Sequence, residues 1–255
     1  MAKDLNKKLF ITADDIGAVE SIDKAVEELV SEQCLDCVSV FVTGNVDLAW
    51  LKRIADKVLC GLHFTLTFGR PLGDKFPQEL LNAEGGFRYP EKPMNANQET
   101  IHDSLNSFFK WLGSIDQKVI ENELRRQVAK FKELMGFAPF FINTHHDIDI
   151  CDNVFSAIKS VCPGYSSRQY LLRKGGYLYN FHFLSDDDDE DSAYELISRL
   201  ISTGEDFLNN GGDLAEIVFH PAFPSSALSE FTSYTNGRYL EYGALKRVFT
   251  RRDKG

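Results

Sequence analysis

Two adjacent carboxylates, Asp14 and Asp15, end a short apolar run, Leu9-Phe10-Ile11, and Gly17 follows at once. Neighbouring carboxylates repel each other, and a pair at the end of a buried strand asks for a compensating cation. An aspartate that merely caps the next helix would be the plainer explanation. The same layout recurs with histidines, however. His63 stands in VLCGLHFTL, His145 and His146 follow FFINT, and His220 follows EIVF, which accounts for four of the six histidines. Each has a structural explanation of its own: a hydrogen-bonded core His63, a core residue beside a helix cap at His145-His146, a simple strand end at His220. Taken together those explanations need a separate coincidence at every strand end. One aspartate with two histidines makes a three-ligand site for a divalent ion, with room for water or substrate. Such an ion polarises a carbonyl and lowers the pKa of water bound to it. The remaining aspartate can then serve as general base and a remaining histidine as general acid.

The elements that must position these groups alternate along the chain. After the strand at residues 9–11 comes an amphipathic helix over 18–33, with Ile22, Ala25, Val26, Leu29 and Val30 on one stripe. A buried strand over 38–43, a helix over 46–56 and a third strand over 58–66 follow. Strand and helix in turn, with short joints, indicate parallel βαβ units. Residues 67–98, rich in glycine and proline, break the rhythm as a long loop of the kind that forms a lid or binding loop. Its Phe68, Phe76, Phe87 and Tyr89 could stack on a ligand or pack the loop down. Helices are expected over 99–112 and 119–135, the second with Ile120, Leu124, Val128, Phe131 and Met135 on one face and Gly136 as its stop. A strand over 140–144, a helix over 153–161, a strand over 165–172, a helix over 192–208, a strand over 215–219 and a closing helix over 239–251 complete the pattern. In a parallel α/β barrel the C-terminal ends of the strands share one face, where such enzymes build their sites.

Composition narrows the function classes. A net charge of -10 argues against nucleic acid or an anionic membrane as partner. No apolar run approaches the roughly 18 residues of a membrane span, and the N-terminal apolar stretch is too short for a secretory signal. Five cysteines, with no second pair beside Cys34-x-x-Cys37, read as buried thiols rather than a zinc site. A cytoplasmic location is expected. The acidic run from Asp186 to Asp191 reads as a solvated helix entrance that favours the helix dipole.

The stretches ITADDIG, GLHFTLTFGRPLG, ENELRRQVAKFKELMG, APFFINTHHD and EIVFHPAF occur in this order from residue 9 to about 224. This ordered set resembles the YdjC-like carbohydrate deacetylase family, which includes the chitooligosaccharide deacetylases. The resemblance implies an α/β fold, a distorted (β/α) TIM-like barrel, taken as a single domain over 1–255 with the long loop after its third strand. It also implies one divalent metal ion, Mg²⁺ or Zn²⁺, and removal of an N-acetyl group from an amino sugar or short chitooligosaccharide. By position, Asp15, His63 and His145 are the implied metal ligands, Asp14 the base, His220 the acid and Arg168 a substrate contact. Glu123 and Glu216 match family glutamates and are taken to support the fold or the site from behind. The sequence departs from the family where a histidine-rich string is usual: Phe141, Asn143, Asp147 and Asp149 stand there instead. Asp147 could thus add a carboxylate near the metal and favour a harder ion. A saccharide is the expected small-molecule partner, and an exposed edge helix could support a homodimer. The altered string keeps two alternatives open: a hydrolase of another ester or amide, or a catalytically silent carbohydrate-binding relative.

Overall fold

Strand β1 (Leu9–Ile16) opens on the apolar run Leu9-Phe10-Ile11 and is buried from Ile11 onward, its polar Thr12, Asp14 and Asp15 included. The structure, a computed structural model, describes residues 8–44, 47, 49–73, 76–88, 98–182, 184 and 187–252. After β1 come α1 (Glu20–Ser31), β2 (Cys37–Val40), α2 (Leu51–Ile54), β3 (Leu59–Phe64), α3 (Gln98–Gly113), α4 (Gln117–Met135) and β4 (Ile142–Thr144). Then follow α5 (Asp152–Val161), α6 (Arg168–Lys174), β5 (Tyr177–Phe181), α7 (Glu190–Asn209), β6 (Leu214–Phe219), α8 (Ser226–Phe231) and α9 (Asn236–Arg252). The strands form one six-stranded sheet in the order β4-β3-β2-β1-β6-β5. This is the expected α/β class, a curled parallel sheet of the distorted barrel type with helices around it. No helix among the described residues is long and apolar enough to cross a membrane.

The chain divides into two compact units. The first, residues 1–41, 45–61 and 171–255, is built on β1 with β2 on one side and β6 on the other, both parallel to it. Helix α1 covers β1 with Ile22, Ala25, Val26, Leu29 and Val30, the stripe read from its 3.6-residue period. One polar residue interrupts that stripe: Asp23 is buried, and its Oδ1 accepts the Gly17 N–H at 2.8 Å while Oδ2 accepts from Trp50 Nε1 at 3.3 Å. Burial pushes its carboxyl up to about 6. The brace it provides holds the chain just beyond Asp14 and Asp15.

The second unit, residues 42–44 and 62–170, joins β3 and β4 in parallel, with Leu62, His63 and Phe64 opposite Ile142, Asn143 and Thr144. Helix α4 begins at Asp116, whose side chain accepts the Lys118 N–H, and ends at left-handed Gly136. Its inner face differs from the apolar stripe expected: Glu123 and Gln127 lie inside with Ile120, Leu124, Phe131 and Met135. Gln127 bonds both the N–H and the C=O of Thr65, and Glu123 accepts the Leu72 N–H and the Gln127 amide. The helix therefore pays for two buried polar side chains by fastening the segment that follows β3. Glu123 fills the supporting role expected of it, and burial raises its carboxyl above the usual range.

Two expected elements are corrected. Residues 165–172, expected as a strand, contain the start of helix α6, and the strand comes later as β5. The cause is local: Ser167 Oγ accepts the Tyr170 N–H at 3.3 Å as a cap does, and the left-handed pair Gly175-Gly176 ends the helix. The helix expected over 46–56 is helical only at Leu51–Ile54, with Val46 and Leu48 outside the described residues. In the long loop Phe76 and Phe87 are buried against each other edge-to-face at 5.2 Å, so they pack the loop down. Tyr89, and Asp186 of the acidic run, lie outside the described residues. Asp189 caps α7 by accepting the Ser192 N–H, as a helix entrance requires. Cys34, Cys37, Cys60 and Cys162 are buried, as expected of ordinary core cysteines.

Gly69 is required by its backbone. It sits at φ 75°, and an added Cβ would lie 2.2 Å from the Thr43 carbonyl oxygen and 2.6 Å from its carbon. Left-handed strain costs about 1–2 kcal/mol, and overpacking adds about 1–3 kcal/mol. Gly69→Ala is therefore expected to lower the unfolding free energy by roughly 2–5 kcal/mol, read from the urea midpoint at unchanged slope. A midpoint within error of the parent would contradict this.

Candidate metal and catalytic site

A regular strand would send Asp14 and Asp15 to opposite faces. Strand β1 is not regular there. Ala13 pairs with Val38 and Ile16 with Val40, so three steps on β1 match two on β2, and the irregularity falls on the two aspartates. Asp15 takes up the extra residue at φ 69°, a region costly for any residue but glycine. Bulges of this kind re-aim side chains and are common beside active sites. On the other side, β1 pairs with β6 up to Ala13 opposite Phe219. Asp14 is the next residue of β1, and His220 is the first residue past the end of β6.

Both carboxylates are buried, at 2% and 1% exposure. The Ser39 hydroxyl on β2 donates to Asp14 Oδ1 at 2.6 Å. Arg238 Nη2, at the start of α9, donates to Asp15 Oδ2 at 2.7 Å in an ion pair that is itself buried. Arg238 Nη1 also donates to the His220 carbonyl at 3.3 Å. The His220 N–H donates to Glu241 Oε2, and the Tyr234 hydroxyl donates to Glu241 Oε1. Full burial pushes the Glu241 carboxyl up to about 7, and partial burial beside the Glu241 carboxylate raises the Tyr234 phenol.

The histidines are set by a cross-strand pair. His63 on β3 and Asn143 on β4 stand opposite each other, and His63 Nδ1 donates to Asn143 Oδ1 at 2.8 Å. An amide oxygen only accepts, so the pairing puts the ring proton on Nδ1 and the lone pair on Nε2. Asn143, one of the departures from the family string, thus supplies the orienting contact that a metal-bound imidazole needs. His145 follows Thr144 at the end of β4, its ring edge-to-face with His63 at 5.2 Å and tilted against His146 at 3.7 Å. His146 and Asp147 both take left-handed backbone, and His146 Nδ1 meets the Thr67 hydroxyl at 3.2 Å.

Asp15, His63 and His145 each offer one ligand atom, and these atoms lie within 4.8 Å of one another, all three residues being buried. A carboxylate oxygen and two imidazole nitrogens are a donor set that fits a divalent ion. Neither Asp147 nor Asp149 belongs to this group. The extra carboxylate expected from Asp147 is not among the ligand atoms brought together, because the left-handed turn at His146-Asp147 departs from the strand. Asp149 Oδ1 instead accepts from Thr144 Oγ1 at 2.6 Å. Arg168 opens α6 and is buried at 4% exposure. Glu216 on β6 accepts from the Tyr177 hydroxyl on β5, a contact of the sheet.

Ser39, Asn143, Arg238 and Glu241 join the site in addition to the residues that the sequence singles out. A lone hydroxyl in the apolar run VSVFV was a signal for Ser39. Arg238 and Glu241, three apart, share a helix face, but the closing helix was expected to start one residue beyond Arg238. Asn143→Ala is expected to weaken metal binding about 10–100-fold, measured by calorimetric titration with Zn²⁺. Affinity equal to the parent's would show that the amide does not orient His63.

Comparison with known proteins follows the same lines. The chain is 25% identical over 259 residues to a chitooligosaccharide deacetylase of Serratia marcescens, covering 94% of this chain and 91% of that protein. It is 24% identical over 246 residues to a carbohydrate deacetylase of Geobacillus stearothermophilus, covering 92% and 87%. Among solved structures, a candidate cellobiose-phosphate cleavage protein of Enterococcus faecalis V583 shares the fold with a TM-score of 0.68, at 19% identity and with 98% and 94% of the two chains covered. The family profile described as YdjC-like protein matches residues 8–252. With the bulged aspartates and the paired histidines inside that match, this protein belongs to the YdjC-like family.

Proposed function

We propose that this protein is a metal-dependent hydrolase that removes the N-acetyl group from an amino sugar or short chitooligosaccharide. The observation that carries the proposal is the convergence of ligand atoms from Asp15, His63 and His145, and the deacetylases among its relatives supply the substrate class. Two imidazoles and one carboxylate form a zinc-type set, whereas magnesium favours oxygen donors alone, so Zn²⁺ is the preferred ion of the two. When bound, the ion supplies Lewis acidity toward the amide carbonyl and toward water.

The remaining steps belong to the chain. Asp14, held by the Ser39 hydroxyl, takes a proton from the attacking water. His220, just past the end of the neighbouring strand, gives a proton to the departing amine nitrogen, and its backbone is fixed on both sides by Arg238 and Glu241. Arg168 contacts the saccharide in this scheme, on the strength of its sequence position. The test is to incubate the protein with diacetylchitobiose and follow acetate release, with chelator and after Zn²⁺ is restored. Release that stops with chelator and returns with Zn²⁺ is expected. No acetate from any acetylated amino sugar, with metal bound, would overturn the proposal.

A further inference from the structure

Arg238 is nearly sealed from solvent, its side chain 5% exposed against 2% for Asp15. A buried arginine is held at high desolvation cost, and it persists where its charge and its planar fork are both used. Both are used here. One nitrogen takes Asp15 Oδ2 at 2.7 Å and another takes the carbonyl of His220 at 3.3 Å, while the guanidinium lies over the Phe231 and Tyr234 rings at 5.4 and 5.9 Å. Three residues further along α9, Glu241 accepts the N–H of the same His220. One helix face therefore grips the peptide groups on either side of His220 and one oxygen of the bulged aspartate.

We infer that Arg238 is a positioning residue that holds Asp15 to a one-oxygen ligand and ties that ligand to His220, so that the first turn of α9 sets the metal carboxylate and the proton donor together. With Oδ2 on the guanidinium, Asp15 offers an ion Oδ1 rather than chelating it with both oxygens. The left-handed backbone at Asp15 needs such an outside hold, because strained residues persist only where their surroundings over-determine them. Lysine could keep the charge, but not the fork that reaches Asp15 and the His220 carbonyl at once.

This inference rests on Asp15 being a metal ligand, and the test separates the two ideas by the sign of one change. Removing a cation beside a metal site strengthens metal binding if the cation acts only through its charge. Removing the residue that fixes the ligand weakens binding, typically 10–100-fold. Zn²⁺ is titrated calorimetrically into metal-free parent, Arg238→Met and Arg238→Lys proteins, with far-UV circular dichroism and melting curves for each. The expected result is Zn²⁺ binding weakened at least about tenfold in Arg238→Met, with Arg238→Lys weaker than the parent even though it keeps the charge and the fold. Equal or tighter binding in either folded variant overturns the inference while leaving the metal site standing. A parent that binds no Zn²⁺ overturns both. If Arg238→Met does not fold, Arg238→Lys decides.

Discussion

His63→Ala is expected to lower kcat/KM for acetate release by roughly a thousandfold or more, and to leave the purified protein with little bound zinc. The ion's Lewis acidity is worth several kcal/mol in such reactions, and each 1.36 kcal/mol is a factor of ten in rate. His63 supplies one of three ligand atoms, so its loss leaves two, too few to hold a catalytic zinc against water. The same substitution strands the Asn143 oxygen in the core, which costs about 1–3 kcal/mol of stability for a buried group left without its hydrogen bond. Zinc content by elemental analysis and the melting curve separate the two effects. A variant that melts near the parent, has lost its zinc and has lost its activity supports His63 as ligand. A variant that keeps both zinc and turnover would falsify that role.

Much of this site was legible because its chemistry is rare at strand ends. An apolar run that delivers Asp14 and Asp15, and two others that deliver His63 and His145, are patterns that composition alone seldom produces, and the structure brings Asp15, His63 and His145 together. The parallel pairing followed from strands and helices taken in turn. What stayed hidden depends on backbone events that residue types do not announce. The bulge that separates Asp14 from Asp15 is one extra residue in β1, and only the register against β2 reveals it. Arg238 reaches Asp15 across 223 positions of sequence, and no local period encodes a contact of that span. Strand β5 was misplaced for the opposite reason: Tyr-Leu-Leu at 170–172 suits either state, and the serine cap and glycine stop decided for helix.

Asp14→Asn carries the other large expected effect, and it tests the division of labour inside the aspartate pair. Asparagine keeps the shape and can still accept from the Ser39 hydroxyl, but it cannot take a proton from water. A general base contributes about 10²–10⁴-fold, so kcat should fall by roughly that factor. Zinc content should stay at the parent level, because Asp14 is not in the ligand group. Ser39→Ala should fall less, since it removes a hydroxyl that orients the base and leaves the base itself. The pairing of the two variants matters because Asp14 and Asp15 are both buried carboxylates one residue apart, and damage to either could look alike in an activity assay. Loss of zinc in Asp14→Asn would move Asp14 into the metal site, and unchanged kcat would remove it from the chemistry. A chain that bound saccharide without turning it over would show neither change, so the same measurement decides between an enzyme and a binding protein.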